Sequence, residues 1–353
     1  MSEERQTLVR KDGSLGHILL DRPKALNSLT LPMIRDIEAA LDDFEADPSV
    51  RVVLISGAGE RGLCAGGDIR MVYEQGKAGS EEPLIFWREE YRLNERLSRY
   101  PKPIVAFMDG IVMGGGVGVS VYARHRVVTE RTRFAMPETG IGFYPDVGAS
   151  WFLSRLKVEI GTFIGLTGEA LGAGDVIATG LADVFVPLDR LTALADALKT
   201  VTDDNAVTAV IEAASEAAPA AMLADHRSDI DRLFAFDTIE DILAALDSDG
   251  SAFAEKTLCV LSQKSPTSLK VTLRLLREGR RDGALKACIS REFDALSAVL
   301  RSHDFYEGVR AAVIDKDRNP QWRPARLEDV TQAEVDAYFA PTVRPLFEKE
   351  ELQ

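Results

Sequence analysis

Cysteine and histidine are scarce in this chain, and both are scattered. The 353 residues hold three cysteines, Cys64, Cys259 and Cys288, and four histidines, His17, His125, His226 and His303. No C-x-x-C pair occurs, so neither a zinc ribbon nor a disulfide framework is indicated. The histidines suggest no triad and no metal site, and no metal is expected. No apolar run approaches the length of a membrane span, so no membrane partner is expected. Positive charge is in deficit: 42 Lys and Arg against 56 Asp and Glu leave a formal charge of −14. That excludes broad nonspecific nucleic-acid binding, which needs a basic face. A local anion site on a few basic groups or a helix N-terminus is still allowed. The N-terminal Met1-Ser-Glu-Glu-Arg-Gln-Thr7 has neither an apolar h-region nor Arg-rich amphipathic character. It reads as neither a secretory signal nor a mitochondrial presequence, and the expected location is cytoplasmic.

What is present is ordinary soluble composition, 46% hydrophobic and 28% charged, in a length that suits one large domain or two smaller ones. The first half alternates strand and helix signals. Ile18–Leu20, Arg51–Ser56, Pro103–Met108 and Arg126–Thr129 read as strands. Thr30 reads as an N-cap with Pro32 just inside a helix, and Ile34, Ile37, Leu41 and Phe44 recur at helical spacing. Leu84–Leu97 reads as a second helix, and Val119–Ala123 as a short apolar one. This alternation predicts an α/β core over residues 1–190. From 191 to 353 the chain reads as mainly helical. The segments Leu191–Val201, Ala206–Ala217, Ile239–Leu246, Phe253–Ser262 and Lys286–Leu300 are helix-like, Ser265 opens another with Pro266, and Gln332–Phe339 forms a short tail helix.

Chemistry concentrates in Met136-Pro-Glu-Thr-Gly-Ile-Gly-Phe-Tyr-Pro-Asp-Val-Gly148. Glu138 and Asp146 stand in an otherwise uncharged, largely apolar run, each directly after a proline that fixes φ. Two carboxylates on stiff turns in a dry pocket acquire separated pKa values, which acid/base or nucleophilic chemistry requires. A second reading also stands at this stage: Asp146 as a helix cap and Glu138 as an exposed turn residue. Two glycine clusters, Leu63-Cys-Ala-Gly-Gly-Asp-Ile69 and Met113-Gly-Gly-Gly-Val-Gly118, have two readings as well. Their N–H groups could converge on one oxygen as an oxyanion hole, or the glycines could serve tight turning and close packing. Neither cluster has G-x-G-x-x-G spacing, and the chain has no Walker A sequence and no G-x-S-x-G elbow.

Together, Arg22-Pro-Lys-Ala-Leu-Asn27, Cys64-Ala-Gly-Gly-Asp68, Pro103-Ile-Val-Ala-Phe-Met-Asp-Gly110, Gly114-Gly-Gly116 and Met136-Pro-Glu138 resemble the crotonase (enoyl-CoA hydratase/isomerase) superfamily. Trp87-Arg-Glu-Glu-Tyr91, Phe143-Tyr-Pro-Asp-Val-Gly148, Ser265-Pro-Thr-Ser-Leu-Lys270 and His303-Asp-Phe-Tyr-Glu-Gly-Val-Arg310 resemble its hydrolase branch. The likeness spans about residues 15–340. It implies a spiral of ββα units followed by a helical region, and a coenzyme A thioester as substrate. The carbonyl would lie on the amides of Gly67 and Gly115. The adenosine end would lie near Lys24, Ala25, Ala65, Asp68 and Ile69, with Lys24 or Arg22 meeting the phosphates, and Gly67 counts with them as a coenzyme A contact.

Hydratases of the family carry two catalytic glutamates. One aligns with Glu138; the other falls at Gly118, which has no side chain. Asp146 matches the acid of the hydrolase branch, and Glu90 a position there that contacts the ligand, though Glu90 also reads as a solvated helix charge. The implied catalytic set is Glu138, Asp146, Gly67 and Gly115. Substrate contacts are implied at Glu90, Gly115, Glu138 and Asp146. The implied reaction is hydrolysis of a short branched β-hydroxyacyl-CoA, as in valine breakdown, with hydration or isomerisation of an enoyl-CoA as the alternative. No cofactor is implied beyond the coenzyme A of the substrate. A homo-oligomer (trimer, hexamer or dimer) is implied as a further association.

Overall fold

The computed structural model describes residues 5–342 and 344–347. They form two compact units, and neither is one continuous stretch of sequence. The first draws on residues 5–68, 92–135 and 170–224, the second on 69–91, 136–169 and the described residues from 225 onward.

The first unit holds two sheets. The larger is built from β1 (Thr7–Asp12), β2 (Leu15–Leu20), β3 (Val52–Gly57), β5 (Ile104–Met108), β7 (His125–Val128) and β9 (Val184–Phe185), in that spatial order. β1 and β2 form an antiparallel hairpin, and every later pairing is parallel, with Leu15 opposite Val52 and Val105 opposite His125. The smaller sheet is parallel, with β4 (Gly62–Cys64), β6 (Ile111–Met113) and β8 (Arg133–Ala135) in sequence order. The strand pairs β3–β4, β5–β6 and β7–β8 each send one strand to each sheet before the chain turns helical, which is the repeated ββα unit. The α/β expectation with a helical C-terminal part therefore holds.

Parallel strands covered on both faces read as continuous apolar runs rather than alternating ones. Accordingly Val52, Val53, Leu54 and Ile55 are all buried. One face of the large sheet (Leu15, Val52, Leu54, Val105, Phe107 and Val127) packs on Leu194, Leu198, Val207 and Ile211 of the helices Leu191–Leu198 and Asp204–Ala214. Full burial of such a side chain stabilises by roughly 1.5–3 kcal/mol. The helix Leu31–Ala46 starts as expected, with the Thr30 hydroxyl accepting from Met33 N.

Some local readings differ. The helix expected over Val119–Ala123 begins earlier and is shorter, at Gly115–Gly118. Ser120 Oγ donates to Gly116 O at 2.7 Å, so its side chain takes up a carbonyl at the end of the helix. β1 is mostly exposed and polar, and β4, β6 and β8 have three residues each, too few to show a period. The turn Gly57–Gly62 has G-x-G-x-x-G spacing, but it leads from β3 into β4 rather than into a helix. It therefore lacks the context of a dinucleotide site.

The second unit is mainly helical: Ile239–Asp249, Ala252–Leu261, Pro266–Gly279 and Leu285–Val299 fall where periodicity puts them. Ser265 caps Pro266–Gly279 by accepting from Ser268 N, and Thr331 and Glu334 form a capping box on Gln332–Asp336. Among the described residues, no helix is long and apolar enough to cross a membrane.

Candidate active site

The second unit buries three of the acids singled out from the sequence, Glu90, Glu138 and Asp146. Pro137 leads into a 3-10 turn, Glu138–Ile141, which puts the Glu138 side chain inside, at 6% exposure. The turn ends at Gly142 with φ +72°, and a Cβ there would fall 2.1 Å from Asp304 O, so this position needs glycine. Eight residues beyond Glu138 comes Asp146, directly after Pro145 and at 5% exposure. Glu90, at 2% exposure, lies on the helix Glu82–Ser98. The next residue, Tyr91, donates its hydroxyl to Asp146 Oδ2 at 2.8 Å.

The alternatives left open by the sequence do not survive. The helix Ala149–Phe152 takes Gly148 as its N-cap, with no side-chain cap bond; Asp146 gives it only a backbone oxygen, 2.9 Å from Ala149 N. Glu138 and Glu90 are buried, so neither is a solvated turn or helix charge.

Burial without full compensation sets the protonation of this group. Burial pushes the Asp146 carboxyl up to about 7, against the Tyr91 bond, which favours its charged form. Burial, then the charge of Asp146, push Glu138 and Glu90 well above the usual carboxylate range. Asp146 is thus the electrostatic neighbour common to both glutamates. Lys264, whose own pKa burial lowers, draws Glu138 partly back. Among the described residues, Glu138 Oε2 and Glu90 Oε1 have no hydrogen-bond partner. Buried acceptors left open in this way are poised for a ligand or water.

Sequence reasoning did not find Tyr91, Lys264 or Glu292 as parts of this cluster. Tyr91 lay inside a quoted motif without a role, and Lys264 directly precedes the Ser265 cap. Glu292, on the helix Leu285–Val299, is fully buried and accepts from Gly148 and Ser150. Burial pushes its carboxyl up to about 8. Only a buried-position glutamate in an apolar helical stripe would have marked it.

The first unit brings the glycine loops together. Segment 22–29 pairs with 65–68: Ala65 N donates to Leu26 O, Leu29 N to Gly66 O and Asp68 N to Leu29 O. That bridge does not use the Gly67 N–H. Asn27, with φ +55°, ties the turn down by accepting from Arg22 N and donating to Ala58 O and Gly62 O. Lys24 is exposed, Ala25 and Ala65 are half-buried, and Arg22 is held by Asp68 at 2.8 Å. Gly66, at φ +112°, would point a Cβ to within 3.8 Å of Gly115 N, and one on Gly116 would meet Cys64 O at 2.3 Å. The two glycine clusters therefore lie side by side. Gly115 N heads the helix Gly115–Gly118, where N–H groups lack partners in the helix. Ile69 opens the helix Ile69–Lys77 and belongs to the second unit, as do Glu90, Glu138 and Asp146.

Comparison with known proteins bears on what such loops and acids serve. The enoyl-CoA hydratase/isomerase family matches residues 15–339. The chain belongs to this family. Its relatives include the mitochondrial 3-hydroxyisobutyryl-CoA hydrolase of Danio rerio, 44% identical over 342 residues (95% of this chain, 89% of the relative). The Homo sapiens enzyme of the same name is 43% identical over 341 residues, 95% and 88% of the two chains. Among solved structures, a carnitinyl-CoA dehydratase from Mycobacterium thermoresistibile superposes with TM-score 0.93 at 43% identity, covering 98% of this chain and 99% of that one. An enoyl-CoA hydratase from Rhodobacter sphaeroides gives 0.87 at 40%, covering 96% and 98%. The cytoplasmic location expected from the N-terminus is overturned, because these hydrolase relatives are mitochondrial. That expectation rested only on the residue types of Met1–Thr7.

Proposed function

We infer that this family member is an acyl-CoA thioester hydrolase of the 3-hydroxyisobutyryl-CoA hydrolase type. It hydrolyses a short branched β-hydroxyacyl-CoA to the free acid and coenzyme A. The observation that carries the reading is Glu138: buried, with one oxygen unpartnered, beside an Asp146 that Tyr91 holds. Identity of 43–44% over almost the whole chain to enzymes of that name supports it.

In the proposed mechanism the N–H groups of Gly67 and Gly115 donate to the thioester carbonyl oxygen and stabilise the oxyanion of the tetrahedral intermediate. Each such donor is commonly worth about 3–4 kcal/mol. Glu138 acts on the carbonyl carbon, as the nucleophile that gives a mixed anhydride or as the base that takes a proton from the attacking water. The carbon–sulfur bond breaks and coenzyme A departs as a thiolate; on the nucleophile route water then cleaves the anhydride, releasing the free acid and returning Glu138 as a carboxylate. Asp146 and Glu90 hydrogen-bond the β-hydroxyl or orient the water. Lys24, Ala25, Ala65, Gly67, Asp68 and Ile69 form the proposed coenzyme A contacts. These residues all fall within 1–190, the segment proposed to supply the thioester site, with 191–353 as a supporting helical region.

A second reading, hydration or dehydration, is favoured by the names of the two solved structures. Gly118 argues against it, since it leaves no carboxylate where the second glutamate of a hydratase aligns. Incubation with 3-hydroxyisobutyryl-CoA and with crotonyl-CoA separates the two. Free thiol from the first supports hydrolysis; loss of enoyl absorbance without thiol refutes it. A single turnover in ¹⁸O-water tells the routes apart: label in Glu138 marks the anhydride. Self-association as a trimer, hexamer or dimer is proposed alongside, and light scattering tests it.

A further inference from the structure

We propose that Glu292 is a positioning residue for Asp146. The inference rests on the proposed hydrolase reading, in which Asp146 serves the substrate. Glu292 lies 146 residues further along the chain, on the helix Leu285–Val299, with no solvent exposure. Its two carboxylate oxygens are filled from one short stretch. Oε2 accepts from Gly148 N at 2.7 Å, and Oε1 from Ser150 N at 2.9 Å and Ser150 Oγ at 2.5 Å. The Glu292 backbone oxygen accepts the Tyr144 hydroxyl. Both flanks of Asp146, two residues before and two after, are thus tied to one residue.

The stretch needs tying. Val147 has φ +54° and Gly148 φ +86°. A left-handed conformation is natural for glycine but strained for a β-branched residue, and it persists only where the surroundings over-determine it. Three hydrogen bonds into a buried carboxylate do so here. The same helix secures the other hold on Asp146. Phe293, the next residue, packs edge-on against the Tyr91 ring at 6.2 Å, and Tyr91 donates to Asp146 Oδ2. One helix therefore sets both the turn that carries Asp146 and the donor that aims it.

The test is a double-mutant cycle between Glu292→Gln and Asp146→Asn, read by thiol release from 3-hydroxyisobutyryl-CoA. Gln keeps the shape, but its amide group turns a donor toward a backbone N–H. In the wild-type background Glu292→Gln lowers kcat at least 30-fold and leaves KM within threefold. In the Asp146→Asn background it lowers kcat less than threefold further, because its route of action is already gone. An equal loss in both backgrounds, or an unchanged kcat in the first, overturns the proposal. Ser150→Ala, which removes one of the three donors, carries the same cycle at smaller amplitude should Glu292→Gln not fold by circular dichroism. A crystal structure of the variant reads the positioning without activity. Loss of the Tyr91–Asp146 bond is expected, and its retention at 2.8 Å with Val147 still left-handed overturns the idea. Absence of thiol release by the wild type from every ester would refute the hydrolase reading alone, and the crystal structure would still decide the role of Glu292.

Discussion

Replacing Asp146 by Asn should make the protein more resistant to unfolding at pH 8 relative to wild type, and much less so at pH 5. The reasoning is proton linkage. Asp146 has its pKa raised from 3.8 to about 7 by burial. Between those values the folded chain holds a proton at this site and the unfolded chain does not. Its contribution to stability is therefore complete below about pH 4 and is lost as pH rises through about 7. A rise from 3.8 to about 7, at about 1.4 kcal/mol for each pH unit, sets an upper bound of about 4 kcal/mol on that loss.

Asn fills the same space, can still accept from Tyr91, and titrates nothing. It also removes the charge that helps push Glu90 and Glu138 upward, so their penalty at high pH falls too. Because the acids share this electrostatic strain, a net gain of about 2–4 kcal/mol for the variant, on moving from pH 5 to pH 8, is the expected outcome. Urea unfolding followed by tryptophan fluorescence measures it. Trp87, Trp151 and Trp322 all belong to the second unit, which also holds the acids. A difference between variant and wild type that stays the same at both pH values, or that swings toward the wild type as pH rises, would refute the assignment of Asp146 as a buried, high-pKa acid.

Glu138→Gln should retain binding of the acyl-CoA ester by calorimetry while thiol release falls by about 10²–10⁴-fold, the usual range for a lost acid–base group; near-wild-type release would take Glu138 out of the chemistry. Tyr91→Phe removes the donor that favours ionised Asp146, so its titration should move alkaline by roughly 1–2 pH units, the equivalent of a charge-assisted hydrogen bond. A plot of kcat/KM against pH checks the direction, and an unchanged or acid-shifted inflection counts against the contact. Gly142→Ala would bring a Cβ to 2.1 Å from Asp304 O at φ +72°. It should destabilise by about 2–4 kcal/mol through overpacking and left-handed strain, read as a lower midpoint in the same urea assay.

What the sequence made legible was local chemistry. Pro137 and Pro145 marked two acids on stiff turns, and burial of both follows from the apolar run around them. The glycine clusters announced close backbone approach or unusual backbone, and each supplies one case: a Cβ on Gly116 would meet Cys64 O at 2.3 Å, and Gly66 holds φ +112°. Helices such as Pro266–Gly279 were legible because the cap, the proline and the apolar stripe all lie within a few residues. The short strands β4, β6 and β8 were not, since three residues carry no period and exist only through partners far along the chain. The interleaving of the two units was hidden for the same reason: strand pairing and core packing, not composition, assign residues 170–224 to the sheets.

The hold on Asp146 belongs to that hidden class, and it explains a conflict within the local pattern. A β-branched valine between Asp146 and Gly148 argues against a left-handed turn, because Val147 is a poor residue for positive φ. Read alone, the tetrapeptide Pro145–Gly148 looks like an ordinary helix approach, which is why a capping role for Asp146 was a reasonable expectation. Glu292, itself inconspicuous in an apolar helix, reverses that reading by taking the N–H groups of Gly148 and Ser150, which frees the Asp146 side chain to meet Tyr91. A local rule fails there because a buried carboxylate from a distant helix outweighs it. Such failures concentrate where side-chain placement matters more than backbone ease. That the failure falls on Asp146, the acid proposed to serve the substrate, ties the strain to the proposed chemistry as well as to folding.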